Sequence, residues 1–166
     1  MKRLLTTLLL SVIAPLSCAW ADDALRFGVL AYRPKAQAIA QWQPLASHLQ
    51  ATLGRRVELQ VYDLNELEAA VANHALDVVL TAPGQYIALK HRYGLSAPMA
   101  TQMTREAGRD VAAFGGVIFT RVDATTINRL EDLADQRIAL TSLDFTGGYQ
   151  MQAFELLEAG LPPLDQ

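Results

Sequence analysis

The order of elements in this sequence predicts an α/β fold with a mostly parallel sheet. Short apolar runs typical of buried strands alternate with segments in which apolar residues recur every three or four positions. Residues 25–31 form the first strand candidate, and one apolar face from Trp42 to Leu53 marks the helix that follows. Because parallel strands place their carboxyl ends at one edge of a sheet, we expect ligands to bind at the loops there.

The first 21 residues have the pattern of a secretory signal peptide. Lys2 and Arg3 form a positive start, residues 4–16 form an apolar stretch, and Ala19-Trp20-Ala21 matches a cleavage site. The apolar stretch is shorter than the ~20 residues that span a bilayer. We therefore expect cleavage after Ala21 and a periplasmic location.

Cleavage would leave an acidic chain without cysteine. Cys18 is the single cysteine, and the residues before it match a lipidation motif poorly. Loss of Lys2 and Arg3 would make the formal net charge more negative than the −3 of the whole sequence. Acidic charge without a basic cluster argues against nucleic acid as a partner.

The alternation of strands and helices continues along the chain. Residues 57–62 are predicted as a second strand, and Asp63 with Glu66 resembles a capping box that opens a helix. Residues 77–80 are predicted as a third strand, followed by a helix that ends near Gly94.

The second half predicts three further strands and two further helices. The strands are predicted at residues 97–103, 111–120 and 138–140, and the helices within residues 121–135 and at 150–159. After Gly160 the chain runs through Pro162-Pro163 and stops, which is not how an α/β domain usually finishes. We therefore expect a truncated chain.

A polar turn at Thr146-Gly147-Gly148 precedes the last predicted helix. A helix that opens here would aim unpaired N–H groups and the positive end of its dipole at one point, with the Thr146 hydroxyl as a further donor. Glycines let a ligand approach the main chain closely. The turn predicts an anion site built from backbone; the alternative is an ordinary helix cap.

Five segments carry a resemblance to a known family: LRFGVLAYRPK, WQPLASHL, DVVLTAPGQYIAL, FGGVIFTR and INRLEDLADQRIALTSLDFTGGYQ. In this order the chain resembles the phosphonate/phosphite-type periplasmic binding proteins, which have the two-lobed type II solute-binding fold. The resemblance implies a first lobe over residues 22–112. Residues 113–166 would then hold a strand that crosses the hinge and an incomplete second lobe.

The RPK, WQPLA and GGYQ segments are most similar to the sensing modules of membrane-bound histidine kinases and diguanylate cyclases. This similarity implies an extracytoplasmic module that binds a small, anionic ligand and serves as the sensor input of a membrane signalling protein. The alternative is the solute-binding subunit of an ABC transporter for phosphate, phosphite or phosphonate.

The resemblance also implies which residues surround the ligand. An oxyanion would contact residues of three loops, and the lobes would close by bending at two glycines. The implied ligand contacts are Tyr32, Thr81, Tyr86, Thr146, Gly147, Gly148 and Tyr149, and the hinge glycines are Gly115 and Gly116.

Motifs for catalysis or metal binding are missing from the sequence. His48, His74 and His91 do not have metal-ligand spacing, and no nucleophile-elbow, zinc-protease or phosphate-loop motif is present. We therefore expect no metal, no cofactor and no enzymatic activity, with an α/β enzyme as the third alternative.

Overall fold

The computed structural model describes residues 24–164. The predicted signal peptide, with Cys18 and the cleavage site, lies outside the described residues. The described elements are β1 (Leu25–Leu30), α1 (Lys35–Leu53), β2 (Val57–Tyr62), α2 (Leu64–Ala72), β3 (Val78–Leu80), α3 (Pro83–Tyr93), β4 (Thr104–Glu106), β5 (Arg109–Val111), a 3₁₀ turn (Leu130–Leu133), a π-helical turn (Thr146–Gln150) and α4 (Met151–Glu158). Within residues 24–164, no helix is both long and apolar enough to cross a membrane.

A three-stranded parallel sheet of order β2-β1-β3 organises the first half of the chain. β1 pairs with β2 along its whole length, from Leu25 opposite Val57 to Leu30 opposite Tyr62. Its other edge pairs with β3 over three residues. Because β1 has a neighbour on each side and helices over its faces, its last four residues are buried. The predicted α/β class with a parallel sheet is confirmed.

Two apolar clusters cover the two faces of this sheet, since successive side chains of a strand point in opposite directions. Phe27 and Val29 of β1 pack with Ala46 of α1 on one face. On the other face, Leu30 packs with Leu67 of α2. Leu67 is fully buried, and burial of a leucine side chain contributes roughly 1.5–3 kcal/mol.

The ends of α1 and α2 follow local chemistry. α1 begins at Lys35, earlier than its apolar face indicated, and includes Pro44. It ends at Gly54, which adopts the left-handed conformation with φ of 61°. The predicted capping box of α2 is present: Asp63 Oδ1 accepts from the Glu66 N–H and Glu66 Oε2 accepts from the Asp63 N–H, both at 2.8 Å.

The strand predictions for the second half are wrong for the described residues. Residues 97–103 contain no strand; an antiparallel hairpin of β4 and β5 follows them instead. Residues 112–120 and 138–140 also lie outside any described ladder. Strand backbone needs a partner for its N–H and C=O groups, and no partner strand lies beside these segments within residues 24–164. Likewise, residues 121–135 contain a 3₁₀ turn rather than an α-helix.

Arg26 and Asp77 join the amino-terminal ends of β1 and β3. Asp77 Oδ2 accepts from the Arg26 main-chain N–H at 2.8 Å and from Nε at 3.1 Å, and Oδ1 accepts from Nη2 at 2.8 Å. These hydrogen bonds favour the charged carboxylate and lower the pKa of Asp77 from 3.8 to about 2.

We predict that Asp77→Asn lowers the free energy of unfolding by roughly 1 kcal/mol at pH 7, a value reduced by solvent screening. Because the pKa of Asp77 is lower in the folded chain, this stabilisation is present above about pH 4 and is lost as the pH falls towards 2. Urea unfolding at several pH values measures the difference. Glu155→Gln, at an exposed position of α4, is the control, and a loss that does not shrink at low pH would contradict the prediction.

Candidate functional site

The loops that follow β1 and β3 meet the turn at residues 144–150 at the carboxyl edge of the sheet. Tyr32 follows β1, and Ala82 and Pro83 follow β3. The Phe145 side chain packs against the cluster that includes Ala82, and its ring centroid lies 5.8 Å from that of Tyr32. Phe145 therefore anchors the turn to the sheet edge at which ligands bind in α/β folds.

A pocket of about 310 Å³ opens where these three segments meet. Aromatic rings and backbone dominate its walls, and no Lys, Arg or His is among its lining residues. The lining residues are Tyr32, Ala82, Pro83, Phe114, Phe145, Thr146, Gly147 and Gly148. A concave site of this volume suits a small molecule.

The turn Thr146–Gln150 is π-helical and continues directly into α4. The Phe145 carbonyl accepts from the N–H groups of Tyr149 at 2.9 Å and of Gln150 at 3.2 Å. The N–H groups of the residues that open a helix have no partner inside it, and they lie at the positive end of its dipole. Thr146, Gly147 and Gly148, the first three residues of this turn, all line the pocket.

Tyr32 and Thr146 are the two lining residues that carry a hydroxyl group. The Tyr32 residue is 65 % exposed, yet the groups packed around it remove part of its water and raise the pKa of the phenol above 10.0. The phenol therefore keeps its proton at neutral pH and can donate a hydrogen bond. The Thr146 hydroxyl donates to Gln150 Oε1 at 3.2 Å.

Thr81 and Tyr86, two of the predicted ligand contacts, lie outside the pocket lining. The Thr81 hydroxyl donates to Oε1 of Gln85, a buried side chain whose Nε2 donates to the Leu64 carbonyl at 3.1 Å. The Tyr86 hydroxyl donates to the Ser96 carbonyl at 3.0 Å. Both side chains thus make contacts with residues close to them in the sequence.

The pocket thus brings together Tyr32, Thr146, Gly147 and Gly148 from the predicted set. Tyr149 is outside the lining, like Thr81 and Tyr86, and the part of these three residues in ligand binding stays a prediction.

Four lining residues were missed by the sequence interpretation: Ala82, Pro83, Phe114 and Phe145. Ala82, Pro83 and Phe145 stand next to the predicted contacts Thr81 and Thr146 in the sequence, and this proximity was the available signal. Phe114 lies in residues 111–120, which were predicted to form a strand. Its position in the pocket depends on how these residues pack against the turn.

The described residues contain no candidate metal centre. Between residues 24 and 164, no three His, Cys, Asp or Glu side chains are grouped closely enough to hold a metal ion.

Comparison with known proteins identifies the family of the chain. A family model described as "ABC transporter, phosphonate, periplasmic substrate-binding protein" matches residues 27–166. The chain belongs to this family. It is a periplasmic-type ligand-binding module, as the resemblance of its segments implied.

One relative is a sensor protein: the tetrathionate sensor histidine kinase TtrS of Salmonella typhimurium. It is 32 % identical to this chain over 146 residues, which cover 87 % of this chain and 24 % of the relative. The chain thus spans about a quarter of the relative's length.

Gly84 allows the close contact between α3 and the turn. A Cβ atom at Gly84 would lie 2.3 Å from the Asp144 carbonyl oxygen and 2.9 Å from the Thr146 hydroxyl oxygen. Since the nearest of these atoms belongs to the backbone, the turn itself would have to move to accept a side chain here.

We predict that Gly84→Ala lowers the free energy of unfolding by about 1–3 kcal/mol through overpacking, and displaces the turn from α3. Urea unfolding and amide hydrogen exchange at residues 144–150 measure the two effects. Gly115→Ala is the matched control, because a Cβ atom there meets nothing within 4 Å. Equal stability of the two variants would contradict this account of the contact.

Proposed function

We propose that this chain is an extracytoplasmic module that binds a small oxyanion and provides the sensor input of a membrane signalling protein. The observation that carries the proposal is the pocket lined by Thr146, Gly147 and Gly148 together with the aromatic residues Tyr32, Phe114 and Phe145. Membership in a periplasmic binding family and similarity to a sensor histidine kinase support it. Secretion by a signal peptide at residues 1–21 is part of the proposal.

The composition of the pocket wall favours one kind of oxyanion. An anion gives up hydration on entering a pocket, and no lining cation compensates for that loss here. N–H and hydroxyl donors can hold terminal oxygens, and aromatic rings can pack against an apolar or sulfur-containing body. We therefore propose an anion whose charge is spread over several oxygens. Tetrathionate is the first candidate, because the relative is named as a tetrathionate sensor.

Binding is proposed to close two lobes around the anion. We propose that residues 22–112 form the first lobe. Residues 113–166 would then hold the segment that crosses the hinge and the first part of the second lobe, and the chain would bend at Gly115 and Gly116. We propose that Thr81, Tyr86 and Tyr149 contact the anion only when the lobes close. A ligand that binds the closed form better than the open form would shift the population towards closure.

The second candidate function is the binding subunit of an ABC transporter, which the description of the family favours. The two candidates differ in what binding does. In a sensor, the ligand changes autophosphorylation or another signalling output of the same polypeptide. In a transporter, it changes the ATPase rate of a separate membrane complex.

We predict that an oxyanion raises the melting temperature of the intact protein. A panel of tetrathionate, thiosulfate, phosphite, methylphosphonate, phosphate and sulfate is compared with sodium chloride at equal ionic strength. A ligand at 100 times its Kd stabilises by ~2.7 kcal/mol, or roughly 5–10 °C for a domain of this size. If none of the six anions shifts the melting temperature beyond the chloride control, the proposed oxyanion function is wrong.

We predict that Phe114→Ala weakens binding of tetrathionate about fivefold, because it removes one ring from the pocket wall, a contact of roughly 1 kcal/mol. Phe119→Ala is the matched control: it removes the same ring five positions later, where the side chain is 86 % exposed and outside the lining. Isothermal titration calorimetry gives both affinities, and equal losses in the two variants would place Phe114 outside the site.

A further inference from the structure

Gln152 is a buried polar side chain beside the binding turn. It is the second residue of α4 and is only 9 % exposed. Its Nε2 donates to the Gly147 carbonyl at 2.6 Å. Its Oε1 is buried and, within the described residues 24–164, has no hydrogen-bond partner. Buried polar atoms almost always have a partner, so this acceptor requires an explanation.

The hydrogen bond to Gly147 affects one donor of the pocket directly. The Gly147 carbonyl and the Gly148 N–H belong to the same planar peptide group, in which they point in opposite directions. A donor that holds the carbonyl therefore also sets the direction of the Gly148 N–H. Since Gly147 and Gly148 line the pocket and Gln152 does not, Gln152 acts on a ligand through this peptide group.

The same carboxamide lies against the segment at residues 112–120, called here the crossing segment. A Cβ atom at Gly116 would lie 2.1 Å from Gln152 Nε2 and 2.7 Å from Cδ. A side chain at this position would require the Gln152 carboxamide to move. Gln152 thus contacts both the turn that lines the pocket and one of the two glycines at which we propose the chain to bend.

The crossing segment contains donors that could satisfy the free oxygen. In the described structure, no main-chain N–H group of residues 112–120 donates to a main-chain carbonyl. A glutamine amide can donate through Nε2 and accept through Oε1 at the same time. A Cβ atom at Gly116 would lie 3.0 Å from Oε1, so the N–H groups of Gly116 and Val117 are the candidate donors of this segment.

We propose that Gln152 is a positioning residue that couples the binding turn to the crossing segment. Its Nε2 orients the Gly148 N–H towards the anion, and in the bound state its Oε1 accepts a main-chain N–H of residues 116–117. Occupancy of the pocket is thereby transmitted to the bend at Gly115 and Gly116. The coupling to a ligand rests on the proposed function, whereas the positioning of the turn does not.

Gln152→Met separates hydrogen bonding from packing, because methionine keeps the length of the side chain and removes both polar groups. Gln41→Met, at an exposed position of α1, is the matched control. Amide hydrogen exchange with millisecond labelling is followed in the intact protein, with and without tetrathionate, at residues 146–150, at residues 114–118 and in β1.

Without ligand, Gln152→Met is expected to speed exchange at residues 146–150 about tenfold and to leave β1 unchanged. With tetrathionate, the wild type is expected to gain protection at residues 146–150 and 114–118, and Gln152→Met to lose the gain at 114–118. Unchanged exchange at 146–150 in the ligand-free variant would overturn the positioning role. Protection of the turn without protection of residues 114–118 would overturn the coupling and leave the proposed function standing.

If tetrathionate protects neither segment of the wild type and the other anions of the panel also fail to bind, the proposed function fails and the coupling fails with it. The ligand-free comparison then still decides whether Gln152 positions the turn. If another anion of the panel binds, the exchange experiment is carried out with that anion.

Discussion

The parallel pairing of β1 with β2 on one side and β3 on the other determines the sheet edge at which the pocket lies. Because all three strands run in the same direction, the loops that follow β1 and β3 leave the sheet at one edge. That edge receives the Phe145 side chain, which packs against the apolar cluster of β1 and α2. This contact holds the turn at residues 146–150 over the sheet. Gly84 has no side chain, which lets α3 pack closely against the turn.

The pocket has no basic lining residue, so an anion bound there would be recognised by hydrogen-bond donors rather than by cationic side chains. The lining residues include three with aromatic rings and the three that begin the turn, and none has a basic side chain. Backbone donors are fixed by the fold and lose little entropy when a ligand binds, but each carries only a partial charge. Such a wall discriminates by the shape and hydration of an anion more than by its total charge.

Local sequence patterns predicted the first half of the fold well and the second half poorly. The strands β1 to β3, the capping box of Asp63 and Glu66 and the glycine that ends α1 each depend on a few consecutive residues. The strands predicted at 97–103, 111–120 and 138–140 have the right apolar composition but no partner among the described residues. An apolar run indicates that a segment is suited to burial, whereas a strand also requires a neighbour whose hydrogen bonds match its own.

The sequence by itself determined the α/β class, the family and the chemical nature of the turn at Thr146-Gly147-Gly148, because glycines and a hydroxyl before an apolar helix act locally. Tertiary structure alone decided which residues share the pocket. It placed Phe114 and Phe145 beside Tyr32, placed Thr81 and Tyr86 in other contacts, and placed Gln152 between Gly147 and Gly116. These distances join residues far apart in the chain, and they follow from the packing of the turn on the sheet, which no local pattern of residues encodes.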